Sequence, residues 1–312
     1  MKTYIIGHLK PDLDSTVASI SFAKLCELDQ IENPTPAITD EINPETQFVF
    51  NKFNINIPNK LSSNEISTED KIVLVDHNEA DQRLQNINQD QIVAIYDHHK
   101  VNLNLNKPIE IVTMPFGSSN TICWFLFKKY NYTPDKTLAS LMLSAILSDT
   151  VGLKSSTTTQ IDRDAVDDLS KIAEITSIDN LSLEIFTAKS DLSSLSPEQI
   201  VLNDYKIFDF YGKKVLIGQT ETVEQSELIA TKTPQLIEAM TLIKQREKID
   251  LIYLALTDIL KVNTKLLILS DAEKSTAEKA FGGSTLNSIL DIGQKMSRKK
   301  DIAPLIENTL KD

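Results

Sequence analysis

The chain has 312 residues, 41% of them hydrophobic, enough for one large or two ordinary globular domains with full cores. Its net charge of −12 and lack of a long basic stripe argue against a general nucleic-acid binder, because that affinity comes from neutralising phosphates. There is no apolar stretch of membrane-spanning length and no leader-like N-terminus, and Cys26 and Cys123 form no close pair. The expectation is therefore a cytoplasmic chain with no membrane partner, no nucleic-acid partner and two buried free thiols. The charge is uneven: residues 1–188 carry 15 Lys+Arg against 26 Asp+Glu, and residues 189–312 carry 17 against 18. An acidic half that binds metal and a second half that supplies lysines suit a small polyanion.

In chain order, residues 3–6 read as a strand and 15–28 as a helix that Asp14 or Ser15 can cap. Residues 33–64 are rich in Pro, Asn and Ser, with a short strand expected at 47–51. Buried strands follow at 72–75 and 92–96, and another near 109–113. Helices are expected over 121–130, from Pro134 to 147, and over 162–175. Strands separated by helices predict a mainly parallel sheet covered on both faces. The serine-rich stretch 187–197 marks a boundary, giving domains over 1–188 and 197–312 with a hinge at 189–196. Beyond it, strands at 205–210 and 214–220 flank the turn Tyr211-Gly212-Lys213. A helix is expected at 226–245, then strands at 251–257 and 265–269 and a helix from Asp271. The fold class is thus α/β in two domains, the second smaller with a mixed sheet, and the active site is expected in the cleft between them.

All four histidines lie in the first 99 residues, each within four residues of an aspartate. They occur in Gly7-His8-Leu9-Lys10-Pro11-Asp12-Leu13-Asp14-Ser15, in Asp76-His77-Asn78-Glu79 and in Asp97-His98-His99, each directly after a short apolar run. Side chains at the ends of parallel strands converge in space. His with Asp suits a divalent transition metal that also accepts oxygen ligands. Asp76, ending four apolar residues, needs a metal or hydrogen bonds as compensation, and its two oxygens can bridge two metals. His77 is read as a support for the site, and Asp97 as the carboxylate that orients one of the two following imidazoles.

Other candidates are ambiguous by themselves. Asp149 ends an apolar helix and by itself reads as a surface or capping residue, rising to a ligand candidate only beside the others. Ser297-Arg298-Lys299-Lys300 is either a solvated basic turn or a pair of cations for phosphoryl oxygens. Lys206 is unremarkable alone.

Together, Gly-His-x-x-Pro-Asp-x-Asp, Val-Asp-His-Asn-Glu, Asp-His-His and the terminal Ser-Arg-Lys-Lys resemble the manganese-dependent (family II) inorganic pyrophosphatases of the DHH phosphoesterase superfamily. Phe281-Gly282-Gly283-Ser284 lacks the histidine of the Gly-Gly-His element usual in related nucleases, and Lys10 and Leu13 stand where many members have Asn and Thr. The resemblance implies that His8, Asp12, Asp76 and Asp149 bind one metal, and Asp14, Asp76, His98 and Asp149 another. It implies substrate contacts from His99, Lys206, Arg298 and Lys299. It also implies two Mn²⁺ (or Co²⁺) per subunit, additional Mg²⁺ with the substrate, and a homodimer through the N-terminal domain. The expected reaction is hydrolysis of pyrophosphate to two phosphates by a hydroxide shared between the metals. A phosphodiesterase acting on short oligonucleotides or phosphorylated nucleotides, and a metal- or polyphosphate-binding protein without turnover, are the alternatives.

Overall fold

The computed structural model describes residues 1–192 and 195–311. The chain divides into two compact units, one spanning Met1–Lys189 and a second that begins at Ser190. The expected hinge at 189–196 includes Ser193 and Ser194, which lie outside the described residues.

The first unit runs β1 (Thr3–Ile6), α1 (Leu13–Leu28), β2 (Pro34–Ala37), α2 (Pro44–Lys52), β3 (Lys71–Val75), β4 (Ile92–Asp97), β5 (Glu110–Thr113), α3 (Ser119–Lys129), α4 (Lys136–Asp149), α5 (Gln160–Ala173) and α6 (Ile178–Lys189). Its sheet has the order β2-β1-β3-β4-β5, and every neighbouring pair is parallel. The chain leaves β1 toward β2 on one side and returns to β3 on the other. The crevice between β1 and β3 is therefore the switch point at which an open parallel sheet binds ligands.

Alternation along the strands sends Ile5, Val73, Val75, Ala94 and Tyr96 into a core shared with helices α1 to α6. Tyr4, Ile6, Ile72, Leu74 and Ile95 face the other way. Both faces are covered as expected, but only the first by helices. On the second lie irregular segments bearing Leu61, Ile66, Leu84, Ile87, Leu103 and Leu105.

The strand expected at 47–51 is helical instead, within α2. Asn43 caps it by accepting from Thr46 N at 2.9 Å, Pro44 starts it, and Glu45, Thr46, Val49 and Phe50 bury one helical face. The β-prone run Phe48-Val49-Phe50 lost to the cap and to that i, i+3, i+4 pattern.

The second unit runs α7 (Pro197–Val201), β6 (Asp204–Phe210), β7 (Lys213–Thr222), α8 (Gln225–Arg246), β8 (Leu251–Asp258), β9 (Asn263–Ile268), α9 (Asp271–Phe281), β10 (Ile289–Gly293) and α10 (Ala303–Leu310). Its sheet, β10-β9-β8-β7-β6, is mixed: β7 and β8 are parallel and the other pairs antiparallel. Leu216, Leu254 and Leu256 pack with α7 and α8 on one face. Val215, Ile217, Tyr253 and Ala255 pack with α9 and α10 on the other. No helix among the described residues is long and apolar enough to cross a membrane.

Candidate metal centre

The site stands at the carboxyl ends of β1, β3 and β4. Gly7 ends β1 without a side chain because a Cβ there would lie 2.0 Å from Ser15 Oγ. His8 follows, with its Nδ1 2.8 Å from the Leu9 carbonyl. A carbonyl only accepts, so Nδ1 carries the hydrogen and Nε2 is directed at Asp76 Oδ2, 3.4 Å away, and Asp12 Oδ1, 3.6 Å away. His98 repeats the device: Nδ1 donates to the Phe116 carbonyl at 3.0 Å. Its Nε2 lies 3.3 Å from Asp76 Oδ1 and 3.2 Å from Asp149 Oδ2.

Asp76 joins the two halves. Its backbone is left-handed, with φ +61°, an uncommon conformation that turns the side chain off the end of β3. One carboxylate oxygen faces His8 and the other faces His98.

Asp14 is not the cap of α1. That role falls to Asp12, whose Oδ1 accepts from Ser15 N at 2.9 Å. The buried Asp14 carboxylate instead sits at the start of α3, accepting from Ser118 Oγ at 2.5 Å, Ser119 N at 2.7 Å and Asn120 Nδ2 at 2.8 Å. Ser119 Oγ also donates to Asp76 Oδ1 at 2.9 Å. These serines went unassigned in the sequence; a Gly-Ser-Ser-Asn helix start gives only a capping signal. Asp162 secures that start by accepting from Gly117 N at 3.0 Å and Thr121 Oγ1 at 2.6 Å. Asp149 is the last residue of α4, yet it does not cap it, and its Oδ2 is buried without a hydrogen-bond partner.

Three sets of side chains each bring their potential ligand atoms within 4.8 Å of one another: His8, Asp12 and Asp76; Asp14, His98 and Asp149; Asp76, His98 and His99. His8, Asp12, Asp76 and Asp149, with His77, Glu79, Gln82 and His99, line a cavity of about 90 Å³. His77 is buried, its Nδ1 donating to the Val75 carbonyl at 2.8 Å, and burial pushes its pKa down to about 4. Asp97 orients His99: Asp97 Oδ1 accepts from His99 Nδ1 at 2.9 Å and from its backbone N at 3.1 Å. Asn78, fully buried, holds the second Asp97 oxygen at 2.5 Å.

The electrostatics call for a cation. Burial opposes a charge on His8, but Asp12 and Asp76 outweigh it and hold its pKa up at about 11. Burial likewise opposes a charge on His98, and Asp76 foremost holds it at about 11. Burial and the Asp76 charge push Asp14 up to about 7. Burial and both neighbouring carboxylates raise Asp149 well above the usual range. Burial also works against the charge on Asp76, yet His8 and His98 keep it lowered. Protons thus stand where a divalent ion would stand, and the donor set of imidazole Nε2 and carboxylate oxygen fits one. His98 Nε2, close to two carboxylates but aligned for a hydrogen bond with neither, fits the same role.

In the second unit, Arg298 begins a wide π-helical turn, Arg298–Ile302, and is 6% exposed. Its Nη2 pairs with Asp204 Oδ1 at 2.8 Å, whereas Nε and Nη1 have no partner among the described residues. Lys299 is exposed. Lys206, on β6, lies over the Phe208 ring at 5.2 Å from its centroid.

A parallel-sheet unit that gathers histidine and aspartate at its strand ends, followed by a mixed-sheet unit with a buried arginine, is the arrangement of a two-domain DHH phosphoesterase. Residues 2–146 match the DHH family, N-terminal domain, and residues 183–309 match the DHHA2 domain. The manganese-dependent inorganic pyrophosphatase of Methanothrix thermoacetophila is 37% identical over 310 residues, covering 99% of this chain and 98% of that protein. That of Methanocaldococcus jannaschii is 37% identical, covering 97% and 98%. A crystal structure of a family II inorganic pyrophosphatase from Methanococcus jannaschii superposes with a TM-score of 0.69 at 36% identity, covering 99% and 100%. An exopolyphosphatase-related protein of Bacteroides fragilis, 14% identical with a TM-score of 0.52, shares the fold. The chain belongs to the manganese-dependent, family II inorganic pyrophosphatases.

Proposed function

We propose that this chain hydrolyses inorganic pyrophosphate to two phosphates with two Mn²⁺ (or Co²⁺) ions per subunit. His8, Asp12, Asp76 and Asp149 hold one, and Asp14, Asp76, His98 and Asp149 the other. The observation that carries the reading is the divided Asp76 carboxylate, one oxygen toward each Nε2-presenting histidine. Bound divalent ions would supply Lewis-acid charge and make water more acidic near neutral pH. The chain's own residues do the rest. His8 and His98 give up their Nε2 protons and fix the ligand set through Nδ1. Asp97 aims His99 at the substrate and favours its protonated form, so that His99 serves as a hydrogen-bond donor to a phosphoryl oxygen. Arg298, Lys299 and Lys206 neutralise charge on the phosphoryl groups.

The family resemblance supports additional Mg²⁺ arriving with the substrate, and the serine-rich composition of 187–197 supports a hinge at 189–196. The resemblance also supports a homodimer through the first unit, to which the exposed Glu110, Ile111 and Thr113 of edge strand β5 are suited. The chain's acidity supports a reading without nucleic acid, and the cytoplasm is the proposed compartment.

The test is phosphate release by metal-stripped protein reloaded with Mn²⁺, Co²⁺, Zn²⁺ or Mg²⁺ alone, with a dinucleotide in parallel. Release from pyrophosphate with Mn²⁺ or Co²⁺, and no dinucleotide cleavage, is expected. Dinucleotide cleavage alone moves the chain to the phosphodiesterases, and silence on both substrates leaves a binding protein.

A further inference from the structure

We propose that Gln219 is a positioning residue for Arg298, an inference that rests on the pyrophosphate reading above. Gln219 lies on β7 and is buried, a polar side chain in a strand whose neighbours Leu216 and Ile217 are core. Its Oε1 accepts from the Arg298 backbone N at 3.0 Å. Its Nε2 donates to the Met296 carbonyl at 2.9 Å and to Thr257 Oγ1 at 3.3 Å. Thr257 Oγ1 is held in turn by Thr264 Oγ1 at 3.0 Å.

One side-chain amide therefore grips the main chain on both sides of Ser297, offering the donor and acceptor that an adjacent strand would offer. Both Nε2 hydrogens are used, so the amide has one orientation. From Ser297 the chain enters its wide turn, closed by Asp301 N donating to the Ser297 carbonyl at 2.8 Å and Ser297 N donating to Asp301 Oδ2 at 2.9 Å. The grip thus fixes where the turn starts and so where the Arg298 side chain leaves the backbone. The outcome is a guanidinium tethered by Asp204 at one nitrogen, with Nε and Nη1 buried and unpaired. Unpaired buried donors cost stability unless a ligand supplies acceptors, and a phosphoryl group has oxygens to fill them. Glutamate at 219 would set a carboxylate against the Met296 carbonyl. A side chain without polar atoms would leave that carbonyl and the Arg298 N–H unpaired.

The test is a double-mutant cycle on the Mn²⁺-loaded full chain, reading kcat and KM for pyrophosphate together with bound manganese and thermal midpoint. Gln219→Met is expected to lower kcat/KM on the order of 100-fold, the cost of a misplaced substrate-binding group, with manganese content unchanged. In an Arg298→Ala background the same substitution is expected to change kcat/KM less than about twofold, because the two act as one unit. Thr257→Val, which leaves the turn untouched and frees one amide hydrogen, should give a smaller loss with the same dependence on Arg298. It carries the test if Gln219→Met does not fold. Equal losses with and without Arg298 would overturn the assignment. Wild-type turnover in Arg298→Ala alone would overturn both it and the reading of Arg298 as a substrate contact, and loss of manganese in Gln219→Met would make Gln219 merely structural.

Discussion

The two units present opposite electrostatic problems. In the first, Asp12, Asp14, Asp76 and Asp149 crowd around two imidazoles at the end of a parallel sheet, and raised pKa values on His8, His98, Asp14 and Asp149 let protons offset the crowded charge. In the second, a buried guanidinium keeps two nitrogens unpaired beside a mixed sheet. Each arrangement costs folding free energy, since buried charges and unpaired donors are expensive. On the proposed function each would be relieved by a different ligand, a cation for the carboxylates and phosphoryl oxygens for the guanidinium. The proposed function is thus placed where local stability is sacrificed, and the two sacrifices are chemically complementary.

That comparison can be broken in order of expected effect. Asp76→Ala removes the carboxylate that faces both histidines; we expect kcat to fall at least about 10³-fold with loss of bound manganese, a scale set by metal-assisted catalysis. Full activity in that variant would remove Asp76 from the centre. Arg298→Ala should lower kcat/KM on the order of 10²- to 10³-fold while manganese content holds, which steady-state kinetics with metal analysis will check. If manganese is lost instead, the two units do not divide the work as described. Asp97→Asn keeps the shape of the His99 support but removes its charge, and a loss of roughly tenfold in kcat with intact metal binding is expected.

A fourth prediction concerns protons. In metal-free protein, His8 and His98 hold a proton up to about pH 11, so metal must displace it. Because these protons are released on binding, manganese affinity should rise with pH across the neutral range and weaken on acidification. Calorimetry in buffers of different ionisation enthalpy reads the release directly; an affinity that does not change with pH would show that the histidines are not ligands. The smallest effect is structural: Gly117→Ala places a Cβ 2.6 Å from the Thr150 methyl, and a destabilisation of about 1–3 kcal/mol should appear in denaturant melts.

Much of the first unit is legible in the sequence for a physical reason. A parallel strand buried on both faces is a continuous apolar run, and polar residues at its end stand out, as Asp76 does after Ile72-Val73-Leu74-Val75. The chemistry of Asp97 toward His99 was readable because the two lie two residues apart. Asp14 was harder: its candidacy was visible, but not its bonds to Ser118 and Asn120, a hundred residues away. Edge strand β2, with two prolines, shows no apolar run, and α2 hid behind the β-prone run Phe48-Val49-Phe50. In the second unit, Lys206 gained meaning only from resemblance, while Arg298 stood open between a solvated basic turn and a cation for phosphoryl oxygens. Gln219 carried no signal because its partners are backbone atoms of residues 296 and 298, which no residue type announces.

The acidic cluster is proposed to hold two ions, with turnover dependent on both. The direct measurement titrates metal-stripped protein with Mn²⁺ while following bound metal and phosphate release from pyrophosphate in the same sample. Two Mn²⁺ per chain are expected, with activity following the doubly loaded fraction. Full turnover at one ion per chain, or with none, would contradict that dependence.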